Sequence, residues 1–126
     1  MPERRVISTD EAPAAIGPYS QAIVHGDLVF CSGQIGMNAA GELSSGELED
    51  EVRQAMANLG AVLRAAGSSY DKVLRAELYL ADMADFGRVN AVYGEYFQLA
   101  PPARACIQAA ALPRGARFEI TATASL

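Results

Sequence analysis

The sequence has no tryptophan, one histidine, one lysine and two cysteines, and each shortage excludes a class of chemistry. With His25 alone there is no multi-histidine metal site, and a Ser-His-Asp triad would have to use that residue. Lys72 is the sole candidate for a lysine Schiff base. Cys31 and Cys106 are too few for a disulfide scaffold or a four-cysteine zinc site. Ten basic residues stand against fifteen acidic ones, for a net charge of −5. No basic run occurs, and phosphate contacts need clustered positive charge, so nucleic acid is not an expected partner. No eighteen apolar residues run together, so no membrane-spanning helix is expected. The opening stretch, Met1 to Glu11, lacks the apolar core of a signal peptide, and the expected setting is cytoplasmic.

What remains is a chain of 126 residues, 51% of them hydrophobic. That length suits one domain over residues 1–126, burying roughly two-thirds of its unfolded surface. Ile16-Gly17-Pro18-Tyr19 reads as a turn. Ala22-Ile23-Val24 and Leu28 to Ser32 read as two strands joined through His25-Gly26-Asp27, with a short strand at 5–8 before them. From Leu48 the period changes. Leu48, Val52, Met56, Leu59, Val62 or Leu63, and Ala66 fall on one face of a helix. Glu47, Glu49, Asp50 and Glu51 sit where its dipole favours negative charge, and Gly67 is a left-handed stop. Val73 to Leu80 alternates, with Leu74, Ala76, Leu78 and Leu80 on one face. A second helix from about Asp85 gathers Phe86, Val89, Asn90, Tyr93 and Phe97, and Pro101-Pro102 stops it. Ala103 to Leu112 and Phe118 to Ala124 read as the last strands, with a turn at 113–116. Helices alternating with strands imply an α/β (α+β) protein: a mixed sheet with two helices packed on one face.

Three polar residues stand out against this pattern. Asn90 lies on the apolar side of the second helix, either as an internal bridge or as an orienter of a loop or ligand. Arg104 opens a strand of small and apolar residues. It is a snorkelling edge residue or an anion site, its guanidinium fork suiting a carboxylate better than a lysine would. Glu119 shares the polar face of the last strand with Thr121 and Thr123, either solvated or functional. A simple hairpin through residues 113–116 would set Glu119 beside Ala110, about 20 Å from Arg104 at the usual strand rise. A joint site then needs another strand order or a second subunit. Cys106 reads as a small buried hydrophobe or a nucleophile. Cys31 reads as core, and Tyr19 as a packing lid or a phenol donor. Ser32-Gly33-Gln34 offers a backbone that a ligand could approach.

In combination these residues closely resemble the RidA/YjgF family of imine deaminases over nearly the whole chain. The match runs through Ala14-Ala15-Ile16-Gly17-Pro18-Tyr19-Ser20-Gln21 and Ser32-Gly33-Gln34-Ile35. It continues through Asp85-Phe86, Val89-Asn90 and Tyr93, then Pro102-Ala103-Arg104-Ala105-Cys106, Leu112-Pro113 and Glu119-Ile120. The resemblance implies a chorismate-mutase-like fold whose last strand inserts antiparallel between earlier strands. It implies a homotrimer with sites in the clefts between subunits. It further implies that Arg104 binds a substrate carboxylate and that Glu119 positions or activates water. Tyr19, Ser32, Asn90 and the Cys106 backbone would line the pocket. Gly36 departs from the proline of many members, and Pro101 replaces an aromatic often found before the Pro-Ala-Arg motif.

The reaction so implied is hydrolysis of a small 2-imino acid to a 2-oxo acid and ammonia. The substrate carries its own electrophilic C=N carbon, so neither metal nor cofactor is expected. Two rivals use the same residues. One is a non-catalytic trimer holding small carboxylates, which leaves Glu119 without a task. The other is an endoribonuclease or translation inhibitor, against which the acidic balance argues.

Overall fold

The computed structural model describes residues 3–126. Eight main elements follow one another: β1 (Arg4–Ile7), β2 (Ala22–His25), β3 (Leu28–Ile35), α1 (Leu48–Ala66), β4 (Val73–Leu80), α2 (Phe86–Tyr93), β5 (Ala103–Gln108) and β6 (Phe118–Ser125). They form a mixed α+β architecture, a six-stranded sheet in the order β1-β2-β3-β6-β4-β5 with both helices on one face. β6 runs antiparallel to both β3 and β4, whereas β4 and β5 are parallel neighbours joined through α2. The hairpin alternative for the last two strands is therefore excluded, and the inserted strand is the arrangement found.

The amphipathic period of α1 is realised fully. Leu48, Val52, Met56, Leu59, Val62 and Leu63 are buried against β3 and β6, and Gly67 closes the helix at φ +89°. Burying such side chains contributes roughly 1.5–3 kcal/mol each before entropy is counted. The alternation of β6 is equally clean, with Phe118, Ile120, Ala122 and Ala124 inward.

Two expectations need correction. Leu74 is not on the core face with Ala76, Leu78 and Leu80, being 50% exposed. The pairing of β4 with β6 slips between Val73 and Arg75, and this bulge turns Val73 inward in its place. The second helix also ends well before the prolines. It passes into a 3-10 turn at Gly94–Tyr96, while Phe97 folds back to stack on Tyr93 with ring centroids 4.7 Å apart. β5 likewise stops at Gln108, short of Leu112.

Candidate active site

The six candidate residues separate into two groups, one on each face of the sheet. Arg104 pairs with Ala76 and Cys106 with Leu78, both inward-facing residues of β4, so Arg104 and Cys106 point to the helix side. Glu119 pairs with Tyr79 on one side and Ile35 on the other, which sets it on the opposite, helix-free face. Insertion of β6 shortens the path from Arg104 to Glu119 compared with a hairpin. It does not bring the two together within one chain.

Around Arg104, α2 builds a cradle. Nη1 donates to Asn90 Oδ1 at 2.7 Å, and the guanidinium lies over the rings of Tyr93 and Phe86, 4.9 and 5.5 Å from their centroids. Helical spacing explains the cradle, because positions 86, 90 and 93 share one face of α2. Asn90 is thus a bridge, reaching Arg104 on β5 rather than a loop. Its neighbours Phe86 and Tyr93, which periodicity assigned only to the core, also lie against the Arg104 guanidinium. One donor engaged by Asn90 and two rings beside it hold the planar fork, and among the described residues no other side chain takes its remaining donors. β5 is an edge strand, so part of its backbone beside Cys106 has no strand partner. The Cys106 thiol packs against the core, and burial raises its pKa, opposed by the nearby Arg104 charge. Cys31 is buried outright and pushed up to about 12. Neither thiol is poised as a nucleophile at neutral pH.

Around Glu119 lies an open cleft of about 540 Å³, whose walls include Tyr19, Ser32, Gly33, Ile35, Arg114 and Glu119 itself. The pairing of β3 with β6 breaks between Cys31 and Gln34, and Gly33 sits in that bulge. A β-carbon on Gly33 would collide with the Glu119 carboxylate, so the carboxylate rests directly on β3 backbone. Burial alone pushes the Glu119 carboxyl above the usual carboxylate range. The Ser32 hydroxyl donates to Ser20 O, which ties the loop carrying Tyr19 to β3 and leaves Ser32 Oγ to the ligand only as an acceptor. Arg114, which sequence reading passed over, reaches this cleft from a turn where its own φ is +59°. A non-glycine residue in that region costs about 1 kcal/mol. The only sequence signal for it was its place between Pro113 and Gly115.

Gly33→Ala is expected to displace the Glu119 carboxylate and lower turnover about tenfold or more, with the fold retained. Steady-state kinetics beside circular dichroism check this, and unchanged turnover would show that the close approach has no catalytic consequence.

The protomer thus carries an anchored arginine on one face of its sheet and a half-buried carboxylate on the other. The Endoribonuclease L-PSP family model matches residues 9–126. The chain is 52% identical over 122 residues to the 2-iminobutanoate/2-iminopropanoate deaminase of Mus musculus, covering 96% of this chain and 90% of that one. It is 45% identical to the chloroplastic Reactive Intermediate Deaminase A of Arabidopsis thaliana, over 98% of this chain and 67% of the relative. A crystal structure of a putative endoribonuclease L-PSP from Entamoeba histolytica superposes with a TM-score of 0.95 at 46% identity, covering 98% and 100% of the two chains. The chain belongs to the RidA/YjgF family.

Proposed function

We propose that this protein hydrolyses small 2-imino acids to 2-oxo acids and ammonia, in sites completed between the subunits of a homotrimer. The observation that carries the proposal is the division of the site across the sheet. One protomer offers a fixed arginine without a base, and the same protomer offers a carboxylate cleft on its other face. Stacking copies so that the Arg104 side of one meets the Glu119 cleft of the next joins the halves, and a cyclic arrangement satisfies every copy. The helix-free face supports such assembly, because Leu28 and Phe30 stand exposed on it.

Within the joined site the substrate carboxylate takes the free donors of Arg104, and Asn90, Phe86 and Tyr93 hold that guanidinium in place. Tyr19, Ser32 and the Cys106 backbone complete the walls. Water attacks the imine carbon, and the Glu119 carboxylate takes its proton as the C–O bond forms. Returned to nitrogen, that proton completes the carbinolamine, and Glu119 then passes the carbinolamine's hydroxyl proton to the same nitrogen as the carbonyl forms. The C–N bond then breaks, leaving the 2-oxo acid and ammonia. A reactive C=N carbon asks only for positioning and one proton shuttle, which these residues supply.

Four of the arginines, Arg53, Arg75, Arg88 and Arg117, are each paired with a glutamate. That disfavours a track for a phosphate backbone, and with it the ribonuclease reading. No described helix is long and apolar enough to cross a membrane. The two free thiols suit a reducing compartment such as the cytoplasm.

Subunit complementation tests the proposal. Arg104→Ala and Glu119→Gln proteins are each expected to be inactive. Co-expressed in equal amounts they should regain about a quarter of wild-type activity, since one arrangement in four pairs two intact halves. Mixtures no more active than either parent would overturn the shared site.

A further inference from the structure

α1 carries one acidic residue that faces inward. Glu51 lies three residues after Leu48 and four before Ala55, in phase with the apolar stripe, and is 1% exposed. Its carboxylate is fully engaged by a single partner. Oε2 accepts the backbone N–H of Arg117 and Oε1 accepts Arg117 Nε, both at 2.7 Å. The guanidinium also donates from Nη2 to Gly46 O at 3.0 Å. Arg117 immediately precedes β6, and its own carbonyl accepts Ala81 N–H at 3.1 Å, so both of its backbone groups are held. Glu119 follows two residues later.

The sequence accommodates this arrangement at a second place. A β-carbon on Gly36 would lie 2.5 Å from both Glu51 Cγ and Glu51 O. The loop leaving β3 therefore passes the Glu51 side chain with no room for a side chain of its own. Two turns along α1, buried Asn58 donates to Ile35 O and Met37 O at 3.1 and 2.7 Å, and Ile35 is the direct pairing partner of Glu119. One helix thus fastens both strands that hold the carboxylate, β6 through Glu51 and β3 through Asn58.

We infer that Glu51 is a positioning residue for Glu119, anchoring the entry of β6 through Arg117 so that the carboxylate rests on Gly33. This inference builds on the proposed role of Glu119 in hydrolysis. A surface ion pair would contribute little. This one is different because its carboxylate is buried and accepts a backbone donor, so removing one acceptor leaves Arg117 N–H or Nε–H without a partner. The titratable and charged groups facing Glu119 are Tyr79 from β4 with Glu77, which accepts the Tyr79 hydroxyl, on the same face, Arg114 from the turn before β6 and Tyr19 from the loop before β2. Glu51 faces it from none of these, and acts only through the backbone.

Glu51→Gln is the test, because the amide keeps the shape and one acceptor. Two readouts are taken on the full-length protein: kcat and KM for a 2-imino acid, and the titration of the Glu119 carboxyl carbon by NMR. A loosened β6 entry lets water reach the carboxyl, so its midpoint is expected to fall toward the ordinary value. kcat is expected to fall about tenfold with KM within about twofold, since Arg104 is untouched. Arg88→Gln, which breaks the exposed Glu49 pair on the same helix, should leave both readouts unchanged. A Glu119 midpoint unmoved in Glu51→Gln overturns the inference, whether or not activity falls. A wild-type protein without deaminase turnover overturns the proposed reaction instead, and the NMR midpoint still decides the role of Glu51.

Discussion

Arg104→Ala is expected to lower kcat/KM for a 2-imino acid by about a hundredfold or more, nearly to the spontaneous rate. Loss of a charge-assisted, two-point carboxylate contact is worth several kcal/mol, and each 1.4 kcal/mol is about a factor of ten. The side chain has no second structural duty that would confuse the result. Its contacts are Asn90 and the rings of Phe86 and Tyr93, all on α2, and Tyr93 remains packed in the core against Phe97 without it. The assay couples the protein to a dehydratase that releases 2-aminoacrylate from serine and follows 2-oxo acid above the uncatalysed rate. Clearance at the wild-type rate by Arg104→Ala would sink the account. Arg104→Lys is the informative neighbour. It keeps the charge but loses the planar fork, so KM should rise even where turnover survives.

Glu119→Gln is expected to act on the other kinetic constant. kcat should fall about a hundredfold or more, the range for removing a positioned acid–base group, while affinity for a 2-oxo acid product stays within about twofold. The pH behaviour gives an independent signature. Only the ionised carboxylate can take a proton from water, and burial holds the group protonated to higher pH than an ordinary glutamate. The acid limb of kcat/KM should therefore lie above the usual carboxylate range in the wild type, and should vanish in Glu119→Gln.

Stability should move the opposite way to activity. A group whose pKa is raised by folding stabilises fully below its unfolded value, and that contribution is lost as pH rises through the folded value. At neutral pH the wild type therefore holds an ionised, half-buried carboxylate at a cost that glutamine does not incur. Glu119→Gln should melt at a higher temperature at pH 7, with the difference shrinking in acid. A variant that lost turnover and also melted lower would point to a structural role. Wild type that bound 2-oxo acids without any turnover would point to the carboxylate-binding module.

Local structure was legible where one physical signal dominated. The stripe of α1 and the alternation of β6 depend on burial against one face, and each appeared where its period placed it. Chain order could not disclose that β6 slots between β3 and β4, since strand order is a matter of long-range pairing; family resemblance supplied it. Leu74 was misassigned because a bulge shifts the two-residue period without changing composition. Glu51 does sit in the first turn of α1 as placed, but its burial was not legible. An acidic residue in a first helical turn satisfies the dipole rule, and that sufficient explanation hid its position inside the apolar phase. Asn90 and Arg104 were each visible as misfits, yet that one receives the other's hydrogen bond depends on how α2 packs beside β5. The candidate residues were thus nameable in advance, though Arg114 and the contacts of Phe86 and Tyr93 with Arg104 were not. That they sit on two faces of one sheet could be known only from the pairing register.

The central place of β6 also governs how the chain can fold. β6 is synthesised after both strands it joins, so a nascent chain ending before Phe118 has β3 and β4 with no strand between them. Two open strand edges then wait for the same late segment, and such edges invite pairing with other chains. Closure needs contacts far apart in sequence, the kind that slows folding. The last strand is therefore both the keystone of the sheet and the carrier of Glu119. If Glu119 acts as proposed, a molecule that has not placed β6 has no carboxylate to offer, so unfinished chains would be catalytically silent.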